Sequence, residues 1–92
     1  MTAVATALFF KRRFDEAVAQ LLRSLEGAPD FAMTYRLLAA CYAHIGQIDD
    51  AREVVERLRA ITPVVVPLVV PFRNPEHREL FLSGLRLAAG EA

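Results

Sequence analysis

Tyr35-Arg36-Leu37-Leu38-Ala39-Ala40-Cys41-Tyr42, then Gly46, then Ile48-Asp49-Asp50-Ala51-Arg52-Glu53-Val54-Val55, is the stretch whose reading decides the fold. Tyr35, Leu38, Ala39 and Tyr42 recur at i, i+3, i+4 and i+7, which places them in one apolar stripe along a helix. The small Ala39 and Ala51 let two helices approach closely while the tyrosines fill the space beside them. Gly46 is free to take the left-handed conformation that ends the first helix. Asp49 and Asp50 then put negative charge on the first turn of the next, where the helix dipole favours it. Arg52–Glu56 and Glu53–Arg57 are expected i,i+4 ion pairs on the solvated face. Asp30, after Pro29, is the expected N-cap of a helix over 31–45, and a partner helix follows over 49–61.

Working outward, the same design stands once more upstream. Phe14-Asp15-Glu16-Ala17 aligns with Ile48-Asp49-Asp50-Ala51 at a shift of 34 residues. At that shift Arg23 falls on Arg57 and Pro29 on Pro63, while Val4, Ala5 and Leu8 fall on Leu38, Ala39 and Tyr42. A fixed period of this length marks stacked supersecondary units, each hiding the apolar flank of its neighbour. Helices are therefore predicted over 2–12 and 15–27 as well, and the class is all-α.

Period and pattern together resemble the tetratricopeptide repeat (TPR), a 34-residue helix–turn–helix. The second copy carries Tyr35-x2-Leu38-Ala39-x2-Tyr42, Ala51-x3-Val55 and Pro63. The first carries Val4-Ala5-x2-Leu8, Ala17-x3-Leu21 and Pro29, and departs at Met1, at Leu8 and at Arg12, which stands where the turn glycine belongs. The resemblance covers residues 1–63, dividing them into repeats at 1–29 and 30–63, and implies a TPR-like α-α superhelix. It also implies a concave groove, lined by the first helix of each repeat, that takes proteins or peptides. Carried onto this chain, the groove-facing residues are Thr2, Thr6, Phe9, Phe10, Met33, Arg36, Leu37, Ala40 and His44. Thr2 and Thr6 stand where the family's carboxylate-clamp variant has Lys and Asn, so capture of chaperone C-terminal tails is not expected. The groove is apolar and aromatic with one cation, which suits an apolar helix or strap.

Beyond the repeats, prolines fall at 63, 67, 71 and 75, a spacing that repeatedly removes a donor and blocks the preceding turn. Val64-Val65-Val66 and Leu68-Val69-Val70 between them prefer extended backbone. Residues 64–74 are read as an apolar strap across the open end of the second repeat, with an edge strand as the competing reading. Asn74-Pro75-Glu76 is a helix start. From it a helix over 75–89 turns Leu80, Phe81, Gly84, Leu85 and Ala88 inward and Arg78, Glu79 and Arg86 outward, the pattern of a capping helix over 75–90. This tail, Pro71-Phe72-Arg73-Asn74-Pro75 with Gly84-Leu85-Arg86 and Ala89-Gly90, resembles the C-terminal end of bacterial proteins in which a class III adenylate/guanylate cyclase domain precedes TPR repeats. It lacks the Leu-Pro-Glu that often follows there. The resemblance implies a regulatory part of a signalling protein.

Composition bounds the remaining possibilities. The chain has 92 residues, with 11 Lys and Arg against 11 Asp and Glu. Nucleic-acid binding asks for a basic stripe that a neutral chain does not supply. Apolar residues are 54% of the chain, too many for intrinsic disorder and enough to expect a partner. The longest apolar run, Val64 to Phe72, is broken by two prolines and falls far short of the roughly 20 residues a bilayer asks for. The single Cys41 cannot form an internal disulfide, so a reducing, cytoplasmic setting is expected. No phosphate loop, nucleophile elbow or H-E-x-x-H is present, and neither catalysis nor a cofactor is expected. Cys41 and His44 share a helix face but fall short of the four ligands of a structural zinc site. Stable arrays normally hold at least about three repeats. Two repeats and a cap are therefore expected either to belong to a longer array or to homodimerise, burying Phe9, Phe10 and the valine strap.

Overall fold

The structure, a computed structural model, describes residues 2–27, 32–66 and 72–90. Five helices run through them: α1 (Thr2–Phe10), α2 (Phe14–Gly27), α3 (Ala32–His44), α4 (Ile48–Ile61) and α5 (Pro75–Ala89). No strand occurs among the described residues, so the all-α reading holds over them. The expected N-cap Asp30, the repeat-closing Pro29 and the strap's Leu68-Val69-Val70 lie outside the described residues.

The 34-residue period is written into the backbone. In the first turn the amides of Lys11, Arg12 and Arg13 donate to the carbonyls of Ala7, Phe9 and Leu8. In the second, those of Ile45, Gly46 and Gln47 donate to Cys41, Ala43 and Tyr42, each partner shifted by the same 34 positions. The pattern is a Schellman closure, in which the residue after the helix must turn left-handed. Gly46 does so at φ 85°, and Arg12, its counterpart, does so at φ 61°. Arg12 is thus not a break in the repeat: it takes the glycine's backbone conformation and carries the steric cost of a Cβ there.

Packing repeats with the backbone. Ala5 and Ala17 in the first hairpin, and Ala39 and Ala51 in the second, are all fully buried. Alanine at these four places brings the helix axes together, and larger neighbours fill what remains: Phe9 and Leu21 in one hairpin, Val55 and Leu58 in the other. The two hairpins then stack through α3, which packs on α4 within its own hairpin and on α2 of the first, and touches α1 only slightly. The Glu53–Arg57 pair forms at 3.0 Å. Glu56, expected to pair with Arg52, instead meets Arg59 at 2.9 Å, one turn further along.

α5 has the start expected of it. The Asn74 side chain accepts from the Glu76 amide at 2.8 Å, Pro75 occupies the first turn, and Gly90 closes the helix at φ 78°. Phe81, Gly84, Leu85 and Ala88 are buried, with Arg78, Glu79 and Arg86 exposed. α5 packs chiefly on α3 and less on α4, the reverse of the way α3 stacks on the hairpin before it. It lies along α3, on the side to which α1 contributes Phe9.

Candidate functional site

The candidate groove is built by the first helices of the two hairpins, α1 and α3, and α5 with the start of the strap fills it. Gly84 sits against α3 so closely that a Cβ there would lie 2.8 Å from His44 Nε2 and 2.9 Å from the Ala40 Cβ. Only a residue without a side chain fits that crossing point. Beside it, His44 Nε2 donates to the Leu80 carbonyl oxygen at 2.7 Å. The ring is held from the other side by a stack on Phe14, 5.2 Å between centroids and 16° from parallel.

Aromatic residues from α1 and the tail interlock at one end. Phe9 meets Phe81 edge-on at 6.4 Å and Phe14 at 5.5 Å. Phe72 meets Phe10 edge-on at 4.8 Å and Phe81 at 5.3 Å, and His77 stacks on Phe10 at 3.9 Å. Edge-to-face pairs of this kind contribute roughly 0.5–1.5 kcal/mol each beyond their buried area. On the strap, Arg36 Nη2 donates to the Val64 carbonyl at 2.7 Å and Nε to that of Val65 at 3.1 Å. Burial pushes the pKa of the Arg36 guanidinium below its usual value.

Placed residue by residue, Phe9, Leu37 and Ala40 are fully buried, and Thr6, Phe10, Met33, Arg36 and His44 are half-buried. Thr2 lies on α1, outside the residues whose side chains are described. Of the residues expected to await burial in a homodimer, Phe9 is instead covered within the single chain, with Phe81 against it, and Val65 is buried, whereas Val64 is exposed. Arg36 and His44 each bond main-chain carbonyls of the occupant, at separate points along α3. The residues missed by sequence reasoning are Phe72 and His77 as contact points, while Gly84, expected on the inward face of α5, was not expected to meet Ala40 and His44. His77 and Phe81 at i,i+4 were a signal of a second aromatic edge, but their partners come from α1, far away in sequence.

Cys41 is fully buried, and burial pushes its thiol from 9.0 up to about 12, so it is a neutral, small apolar group in the packing of α3. Among the described residues no three His, Cys, Asp or Glu side chains gather as a metal site would need, and no helix is long and apolar enough to cross a membrane.

Stacked antiparallel helical hairpins with a concave face define a helical-repeat scaffold. Compared with known families, the chain matches the tetratricopeptide repeat over residues 5–68, and it belongs to that family. No curated protein and no solved structure matches it. Tetratricopeptide-repeat domains are in general non-catalytic modules for protein–protein interaction.

Proposed function

We propose that this chain is a scaffold or regulatory module whose concave face, α1 and α3, receives a protein or peptide partner, with Phe10, Arg36 and His44 among the residues that meet it. What carries this reading is the groove itself. Two of its polar groups, the Arg36 guanidinium and the His44 imidazole, bond main-chain carbonyls, which every peptide possesses, while its walls are largely apolar and aromatic. That division, main chain for affinity and pockets for choice, is the logic of peptide recognition. The partition into repeats at 1–29 and 30–63, strap at 64–74 and capping helix at 75–90 belongs to the same proposal, as does a cytoplasmic setting. The test is affinity capture from the source cells followed by titration with the purified partner. Phe10→Ala and Arg36→Ala should each weaken a one-to-one complex about tenfold, roughly 1.4 kcal/mol. Unchanged binding in both variants refutes the assignment of the groove.

The resemblance of the tail to cyclase–TPR proteins supports a more particular setting, the C-terminal part of a bacterial cyclase-like signalling protein. Reading the gene upstream of the Met1 codon tests it: an in-frame cyclase domain is expected. Homo-oligomerisation is the alternative function, favoured by the exposed Val4 on α1 and Leu22 on α2, apolar residues on the first hairpin. Light scattering across a hundredfold range of concentration decides it, and a constant monomer mass rules it out.

A further inference from the structure

We infer that α5 with its strap is a built-in ligand of the groove: the concave face takes an amphipathic helix with glycine at its crossing point, and α5 holds it shut until a partner helix of that pattern displaces it. The inference rests on the interaction function proposed above and names the partner's chemistry. α5 does not stack as a third repeat would; it lies along α3 where a ligand would lie. Its grip is that of a bound peptide, through the Val64, Val65 and Leu80 carbonyls to Arg36 and His44. The one stringent side-chain requirement is Gly84, where Ala40 and His44 leave no room for a Cβ. Around it Phe81, Leu85 and Ala88 fill the groove, and Arg78, Glu79 and Arg86 face solvent. The matching partner is therefore a helix reading Phe-x2-Gly-Leu-x2-Ala with a charged outer face.

α5 is also built to come away whole. It carries both of its own caps, Asn74 and Gly90, so it does not depend on the groove to close its ends. Pro63, Val64, Arg73 and Asn74 on the tether are exposed. Tethering gives α5 an effective concentration of about millimolar at the groove. A free helix of the same sequence is therefore held off until the tethered one is weakened, because apparent affinity scales with the fraction of open groove.

The experiment uses the full chain, its Gly84→Leu variant, and fluorescein-labelled peptides of residues 72–90 with and without the same substitution. The native peptide should bind the variant on the order of a hundredfold more tightly than the unmodified chain, and the substituted peptide should bind neither. Hydrogen exchange on the unmodified chain should show the α5 amides opening together and about tenfold or more faster than those at the centre of α3. Equal affinity of the native peptide for both chains, equal affinity of both peptides, or an unfolded Gly84→Leu chain would each overturn the inference. So would α5 amides exchanging in step with α3, since α5 is then core and not ligand. A dimer of the unmodified chain with α5 seated in its neighbour also overturns it, making the second copy the occupant. A captured partner that binds the unmodified and Gly84→Leu chains equally leaves the interaction function standing and sinks this inference alone.

Discussion

Arg12 and Gly46 hold the same left-handed backbone in the two turns, at φ 61° and 85°. For arginine that conformation costs roughly 1–2 kcal/mol, against an entropic cost of roughly 0.5–1 kcal/mol for glycine in the unfolded chain. Arg12→Gly should therefore stabilise the protein by about 0.5–1 kcal/mol, read from urea melts. An unchanged or lower midpoint would show that the first turn relaxes in solution. The arginine was legible as a missing glycine but not as a left-handed residue, because the preference of an L side chain argues against what the hairpin's closure demands. Cys41 carries a second residue-scale expectation. Its folded pKa is raised by burial from 9.0 to about 12, so the unfolded chain loses that proton first as pH rises. Stability from this group is whole below pH 9 and is lost between pH 9 and about 12, by about 1.4 kcal/mol for each unit in that window. Tyr42, raised by burial and then by Asp50 and Glu53, pulls in the same direction. Urea melts at pH 7, 9 and 10 should show Cys41→Ala losing less over the alkaline steps than the unmodified chain. Parallel losses would remove the thiol as the cause.

At the scale of elements, the two hairpins were readable because a period is a property of the sequence itself. Ala5, Ala17, Ala39 and Ala51 announce close helix approach wherever their neighbours come from. The start of α5 was readable for the same reason, since Asn74-Pro75-Glu76 acts within one turn. Where α5 goes was not. Gly84 means a crossing point only beside Ala40 and His44, and nothing in the spacing from 84 to 44 carries that information. Val4 and Leu38 make the complementary case: equivalent in the repeat, one is exposed and the other buried, because α3 has helices on both sides. The Asn74 cap offers a test confined to one element. Its carboxamide oxygen satisfies the Glu76 amide at 2.8 Å. Asn74→Ala should cost about 1 kcal/mol, lowering the melting temperature by roughly 4–8 °C for a chain of this size. If α5 opens as a unit, most of that loss appears as faster exchange in α5, with α2 and α3 unaffected. Uniform loss of protection across all helices would instead make α5 part of a single cooperative core.

The whole molecule shows what the folded-back helix does. Its Cα radius of gyration is 11.6 Å, with extents of 29 × 29 × 25 Å, against about 12 Å for a compact domain of this length. Arrays of helical hairpins grow along one axis and leave a concave side open, so near-equal extents follow from α5 occupying that side. Surface charge does little to hold this shape. The four ion pairs among the described residues, Arg13–Glu16, Glu53–Arg57, Glu56–Arg59 and Glu79–Arg86, are all about half exposed or more, and pairs of that kind contribute roughly 0–1 kcal/mol. Compaction therefore rests on the aromatic and aliphatic face of α5, and removing its fit at one residue should be visible in the overall dimensions. With Gly84→Leu, α5 is a helix of about 22 Å held only by its tether, and roughly a fifth of the mass moves outward by its own length. Small-angle scattering should then report a radius of gyration about 3 Å larger than that of the unmodified chain, with helical circular dichroism nearly unchanged, since both caps travel with α5. Adding the native 72–90 peptide should refill the groove without restoring the smaller radius, because the tethered helix stays displaced. A variant as compact as the parent, with full helix content, would mean that His44 and Ala40 yield to the leucine and that α5 is not held at its glycine.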